Sequence, residues 1–259
     1  MRYENHTWVI CAYGESAYVE ACIQSLKNQT LASKIILYTS TPNDLLKNLC
    51  DTYQIPFYTK EGGGIGKDWN NALSFVDTRY ATIAHQDDYY ESSYLEKLAS
   101  QLEKYPNSLI AYSDYFEEKN GQRIPKTSNL KIKRLMLHTM NLFPSWRFWR
   151  DRVLGMGNPI CCPAVTYNLE LLKDFTFSQE LRVSLDWYAW YQISKYKGRF
   201  TFINKDLMCH RIHEESETSK TIADQTRTKE DLYMYELFWP KAIATFINRF
   251  YEKSQNTNS

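Results

Sequence analysis

Ile83-Ala84-His85-Gln86-Asp87-Asp88-Tyr89-Tyr90 is the stretch that decides how this chain folds. The run from Tyr80 to Ala84, apolar apart from Thr82, has the make-up of a buried strand, and it breaks off at two adjacent carboxylates. Open α/β sheets bind their ligands just beyond the carboxyl ends of the strands. Two neighbouring carboxylates repel each other and are best kept ionised by a cation. Hard oxygen ligands of this kind suit Mg2+ or Mn2+, usually shared with a substrate phosphate. The plainer reading is a solvated acidic turn capping a helix that begins near Ser92, and the flanking sequence has to decide between them.

Working outward, the first half alternates strand and helix. Trp8-Val9-Ile10-Cys11-Ala12 is a continuous apolar run of buried-strand type, and Val19, Cys22, Ile23 and Leu26 then recur at helical spacing. Ile35 to Tyr38 reads as a second strand. Pro42-Asn43-Asp44 opens a helix carrying Leu45, Leu46 and Leu49, and Ile55 to Tyr58 is a short third strand. A glycine-rich loop from Glu61 to Lys67 leads into a helix through Trp69, Ala72, Leu73 and Val76. After the acidic pair come a helix with Leu95, Leu98 and Leu102 on one face and a strand at Leu109 to Tyr112. This order predicts an α/β fold, with a Rossmann-like, mostly parallel central sheet and helices on both faces. Beyond Gly121 the alternation breaks. Ile160 to Tyr167, Phe200 to Ile203 and Leu207 to Cys209 read as strands, and Asp186 to Lys195 as a helix. From Lys229 onward the tail reads as helical, with Leu232, Tyr235, Trp239, Ile243, Phe246 and Phe250 on one stripe, kinked at Pro240. Ser254 to Ser259 is expected to fray.

With 259 residues the chain can bury a full core, as one large domain or two small ones, and a net charge of +1 argues against a polyanion partner. The six cysteines lack C-x-x-C spacing and sit largely in apolar runs, as small hydrophobes do. Met1-Arg2-Tyr3-Glu4 does not read as a signal peptide, so a cytoplasmic location is the expectation, and no stretch approaches bilayer-spanning length.

Three further segments have chemical potential. The glycine loop fails the Walker spacing, because Glu61 stands five before Gly66 and Asp68 follows Lys67; it also fails the dinucleotide spacing. What survives is a flexible loop ahead of a helix N-terminus, with Lys67 available for an anion, against the plain reading of a turn. Asp186 opens a helix rich in Trp and Tyr, where a carboxylate can have a raised pKa suited to a general base; a helix N-cap is the structural alternative. In Cys209-His210-Arg211-Ile212-His213, strand alternation puts Arg211 and His213 on one face, as a phosphate fork and a potential metal ligand. A lone His is more often structural, so that role depends on His213 meeting the acidic pair in space.

The order of these elements resembles the family-2 glycosyltransferases, nucleotide-sugar-dependent enzymes with a GT-A fold. Ile10 to Val19 with Ser25 to Thr30 is similar to that family's first strand, nucleotide loop and helix. Gly62 to Leu73 is similar to its glycine loop and Asn-bearing helix, His85-Gln86-Asp87-Asp88 stands in place of its Asp-x-Asp-Asp motif, and Asp186-Trp187 stands where its general base is expected. Arg211-Ile212-His213 with Ser216 and Thr218 resembles its Arg-x-His motif. The resemblance covers about Thr7 to Thr218. It implies a GT-A catalytic domain over 1–218, with a nucleotide-sugar-binding half at 1–121 and an acceptor-side half at 122–218, followed by a helical extension at 219–259. It implies Asp87 and His213 as ligands of Mn2+ or Mg2+ and Asp186 as the base. Donor-binding positions carried over are Ala12, Tyr13 against the base, Glu15, Ser40, Gly64, Lys67 and Asn70. Gln86 then faces the ribose, Asp88 orients the site and Arg211 contacts phosphate. Three positions depart from the pattern: Gly14 replaces an Asn, Thr39-Ser40 replaces the acidic pair that reads uracil, and His85 replaces the first Asp of the metal motif.

The activity so implied is inverting transfer of a sugar from a nucleotide sugar, a UDP-sugar in the first instance, to a hydroxyl of a glycan or lipid-linked oligosaccharide in surface-polysaccharide synthesis. A nucleotidyltransferase shares the sheet and acidic site, but it normally carries a Gly-rich Arg/Lys signature after the first strand, which Tyr13-Gly14-Glu15-Ser16 does not resemble. A catalytically silent nucleotide- or glycan-binding protein is the rival of a different class. From Gln122 to Arg150 there is no acidic residue, while Lys and Arg alternate with Trp and Phe. A solvated basic face is the plain reading of that stretch, and nucleic-acid binding is disfavoured by the near-neutral chain. An acceptor-side surface in peripheral contact with the inner face of the plasma membrane is the reading preferred.

Overall fold

In the computed structural model, residues 2–213 and 226–256 are described, with side chains through residue 249. The central sheet follows from the apolar runs. It contains β1 (Arg2–Ala12), β2 (Ala32–Thr39), β3 (Phe57–Thr59), β4 (Tyr80–His85), β5 (Tyr89–Tyr90), β6 (Ser108–Lys119), β7 (Gln122–Arg123), β8 (Val165–Asn168) and β9 (Arg199–Ile212). Their spatial order is β3-β2-β1-β4-β8-β6-β9-β5, with β7 paired to β6. β1 lies parallel to β2 and β4, and β6 parallel to β9; β8 runs antiparallel between β4 and β6. The sheet is therefore mostly parallel, as the strand–helix alternation predicts.

Long stretches of β1, β2 and β4 are buried because both faces of the sheet are covered there. On β1, Trp8 and Ile10 pack with α1 (Val19–Lys27), α2 (Asp44–Tyr53) and α4 (Tyr94–Lys104). The intervening Val9 faces Ala72 of α3 (Ile65–Leu73) on the other side. That second face is completed by α5 (Ser128–Met140), α6 (Arg147–Leu154) and α7 (Leu185–Ser194), together with α8 (Thr226–Phe238). The last helix, α9 (Lys241–Asn256), contributes Ala244 to the same core.

One stretch without an expected element is filled in, and three expectations are corrected. The stretch after Gly121 is a helical hairpin: Thr127 caps α5 by accepting from the Leu130 N–H at 3.3 Å, and Leu130, Leu137 and Met140 go inward. The two short strands near 200 and 208 are one long strand, bulged where β9 passes Asp114 of β6. Pro240 ends a helix instead of kinking one, because its ring and missing N–H fall between α8 and α9. The tail stripe divides there, with Tyr235 buried and Ile243 and Phe246 exposed; of the stretch from Ser254 to Ser259 expected to fray, 254–256 continue α9, and the Phe250 side chain and residues 257–259 lie outside the described residues. All six cysteines are free thiols. No helix among the described residues is long and apolar enough to cross a membrane.

A buried histidine links the start of the sheet. His6 is fully buried, with Nδ1 2.9 Å from Ser33 Oγ and Nε2 2.9 Å from Thr82 Oγ1. Burial lowers its pKa from 6.5 to about 3, so the folded chain holds it neutral. The unfolded chain takes up a proton below 6.5, and stability is lost as pH falls through that window. Between pH 7 and pH 5 the His6 contribution amounts to about 2 kcal/mol. Urea midpoints at the two pH values should therefore converge in His6→Gln relative to the parent; an undiminished pH dependence would exclude His6 as its source.

Candidate active site

The carboxyl ends of β1, β4 and β9 converge, and the acidic pair sits where they meet. Asp88 is fully buried and acts as the joint: its Oδ1 accepts the Arg211 N–H at 3.0 Å and lies 3.3 Å from His210 Nδ1. Burial works against a charged His210, but the Asp88 carboxylate outweighs it and raises the imidazole's pKa. Asp87 turns the other way and meets His213, with Oδ2 and Nε2 2.9 Å apart. Burial opposes ionisation of Asp87, yet nearby His85 and the His213 hydrogen bond hold its carboxyl below the usual range. The meeting on which His213's role depends is therefore made.

Arg211 is less available than its sequence context implies. Its Nη1 donates to the Asp87 carbonyl at 2.8 Å, its Nε lies 3.4 Å from Glu118 Oε1, and its guanidinium stacks on Tyr18. Tyr18 also packs against the His213 ring. Gln86 bridges two strand ends: its Oε1 accepts the Tyr13 N–H and its Nε2 donates to the Tyr13 carbonyl, each at 3.1 Å. Tyr13 itself projects outward, 67% exposed, a free aromatic face at the lip of the sheet. Ala12 is buried beneath it and Glu15 is exposed in the following turn.

The glycine loop is built for close packing. Ser40 Oγ donates to Asp68 Oδ2 at 2.9 Å, and a Cβ on Gly62 would come within 2.6 Å of Ser40 Cβ. Lys67 folds back so that Nζ donates to the Gly62 carbonyl at 3.0 Å. Gly64, with φ +103, occupies left-handed backbone at the N-terminus of α3. Asn70 is committed to the chain itself, donating to the Phe177 carbonyl and accepting its N–H.

Asp186 lies in the first turn of α7 rather than at the cap. Its Oδ1 accepts the Trp187 N–H at 2.7 Å and its Oδ2 accepts from Asn158 Nδ2 at 2.8 Å. Burial raises its pKa, although Asn158, the Trp187 N–H and the positive charges of Lys133 and Arg227 pull in the opposite direction. The approach to α7 is held from far along the chain: the Glu230 carboxylate of α8 accepts the N–H groups of Arg182, Val183 and Ser184 at 2.8–2.9 Å.

Sequence reasoning missed Asn158, His210, Glu118 and Tyr18. Asn158 and Glu118 stand in no recognisable motif, whereas Tyr18 within the Ile10–Val19 run and His210 beside Arg211 lay in segments whose signal could have been followed. Ser216, Thr218 and the 218/219 boundary fall outside the described residues.

The sequence model of the family described as "Glycosyl transferase family 2" matches residues 7–169. No curated protein matches the chain. Among solved structures, S. aureus TarS 1–349 in complex with UDP-GlcNAc superposes with a TM-score of 0.67 at 16% identity, over 94% of this chain and 70% of that one. Mannosyltransferase PcManGT from Pyrobaculum calidifontis in complex with GDP-Man and Mn2+ superposes with a TM-score of 0.64 at 12% identity, over 90% and 63% of the two chains. At these identities the likeness shows the fold.

A Cβ on Gly66 would lie 1.8 Å from the Ser178 carbonyl oxygen. Gly66→Ala must therefore push α3 off the 177–178 segment, at a cost of about 1–3 kcal/mol or more. A denaturant midpoint equal to the parent's would show that this contact yields freely.

Proposed function

The chain belongs to glycosyl transferase family 2, and from that premise we propose that it moves a sugar from a nucleotide sugar to an acceptor hydroxyl with inversion at the anomeric carbon. The observation that carries the reading is the pairing of Asp87 with His213 at the strand ends, together with the enclosed carboxylate of Asp186 in the first turn of α7. The proposed division gives the donor to 1–121 and the acceptor to 122–218, with 219–259 as an extension.

Tyr13 offers its exposed ring to the base, and Ser40 and Gln86 stand at the adjoining strand ends. Lys67 and Arg211 can turn their N–H groups to the diphosphate. The residues fit a divalent ion, because Asp88 Oδ2 is buried beside His85 with no hydrogen-bond partner among the described residues. Asp87, with His213, would hold Mn2+ or Mg2+, which when bound neutralises charge on the leaving diphosphate. Asp186 takes the acceptor's proton as the hydroxyl attacks from the face opposite the leaving group. UDP-sugar is the first donor to try. The silent-binder alternative would bind the donor without ever releasing a nucleoside diphosphate.

Asp186→Asn should lower turnover by about 10²–10⁴-fold while leaving donor binding intact; near-normal turnover would end its assignment as base. A carboxylate must be ionised to act as a base, so the rate should fall as pH drops through its raised pKa. Removing the Asn158 hydrogen bond destabilises the charged form. Asn158→Ala should therefore move the acid limb of the pH–rate profile to higher pH, and an unmoved limb would detach Asn158 from the base.

The acceptor is proposed to be lipid-linked, with the α5–α6 hairpin in contact with an anionic membrane. Ile132, Leu135, Leu142, Phe143, Trp146 and Phe148 are each more than half exposed, and no acidic residue lies among them. The cations are less exposed than their sequence suggests. Lys126 and Arg134 pair with Asp114 and Asp206, and Arg150 donates to the Ser194 and Gly198 carbonyls. Contact then rests on aromatic insertion more than on charge. Phe143→Ser with Trp146→Ser should abolish co-sedimentation with anionic liposomes; if the parent itself stays in the supernatant, the membrane reading is lost.

A further inference from the structure

His85 stands where the family-2 motif has its first Asp, and the structure gives it surroundings that an ordinary core histidine does not have. Its ring lies against Trp69, with centroids 5.3 Å apart and planes 30° apart. Its Nδ1 is 4.0 Å from Asp88 Oδ2, too long for a hydrogen bond. Among the described residues its Nε2 is buried and has no hydrogen-bond partner, and neither has Asp88 Oδ2, although the Asp88 side chain is only 1% exposed. An unpaired carboxylate oxygen in a fully buried residue is costly unless a cation reaches it. Ligand atoms of His85, Asp87 and Asp88 all lie within 4.8 Å of one another, the spacing at which one ion can be shared.

We propose that His85 is a ligand of the ion that Asp87 holds, so that this chain carries imidazole nitrogen where the family motif offers a carboxylate. The inference deepens the proposed function and rests on its assignment of Asp87. The consequence is selectivity. Carboxylate oxygen suits Mg2+ and Mn2+ alike, whereas imidazole favours first-row transition ions, and His85 adds a second imidazole to that of His213. Mg2+ also dehydrates reluctantly and demands near-octahedral oxygen geometry. The site therefore prefers Mn2+, and more strongly Co2+, to Mg2+. Trp69 fixes the plane of the ring, in the way that outer contacts orient metal-bound histidines.

The test uses the whole chain with Mn2+ alone, followed by electron paramagnetic resonance, and Mg2+ is measured by its competition. The parent should bind Mn2+ at least about tenfold more tightly than Mg2+ and show echo modulation from imidazole nitrogen. In His85→Asn, Mn2+ affinity should fall about 10–100-fold and the modulation should lose depth. His85→Asp, which restores a charged ligand and guards against a merely misfolded variant, should bind Mn2+ again but discriminate less against Mg2+. Unchanged Mn2+ affinity and modulation in a folded His85→Asn would overturn the proposal and leave His85 as packing for Trp69. Because no nucleotide is present, this result is independent of whether the chain transfers sugar, which nucleoside diphosphate release reports separately.

Discussion

The carboxylate of Asp88 is the constraint on which the site depends. A fully buried charge is tolerated only where the surroundings answer it, and here the answers come from different parts of the chain. One oxygen takes the Arg211 N–H and sits by His210, both on β9; the other faces His85 at the end of β4. β4 and β9 are not neighbours in the sheet, since β8 and β6 lie between them. Asp88 thus closes the carboxyl edge across the intervening strands. Asp87 and His213 are placed by that closure: each is the chain neighbour, by one or two residues, of a group that Asp88 holds.

Much of this was legible beforehand because the relevant signals are local. Continuous apolar runs marked β1, β2 and β4 as strands covered on both faces, and the helical spacing of Val19, Cys22, Ile23 and Leu26 is reproduced in the buried side of α1. The acidic pair could be placed at a strand end because a strand preceded it. What escaped was non-local. The bond from Asn158 to Asp186 and the grip of Glu230 on residues 182–184 join segments 28 to 48 residues apart, and nothing in either partner announces the other. Likewise, Gln86 and Asn70 carry the right side chains for a ligand, yet in this structure each binds backbone, at Tyr13 and Phe177.

The stretch from 122 to 152 shows how composition can mislead about direction. Its Lys and Arg residues suggested a charged face that the aromatics merely accompany. The fold reverses much of this. Arg150 is almost wholly buried among backbone carbonyls and over the Phe200 ring, while Trp146 and Phe148 stand in the open. A guanidinium can be enclosed when carbonyls converge on it, and a hairpin turn has too little neighbouring surface to cover its own rings.

Glu230 has a further effect at the opening of α7. Consecutive backbone N–H groups leading into a helix form a natural receptacle for phosphate. In this chain an internal carboxylate already fills it. A nucleoside diphosphate that drifted towards Asp186 would find the receptacle occupied and like charge facing it. The Glu230 carboxylate thereby closes the opening of α7 to phosphate groups and keeps it as an internal joint between α7 and α8.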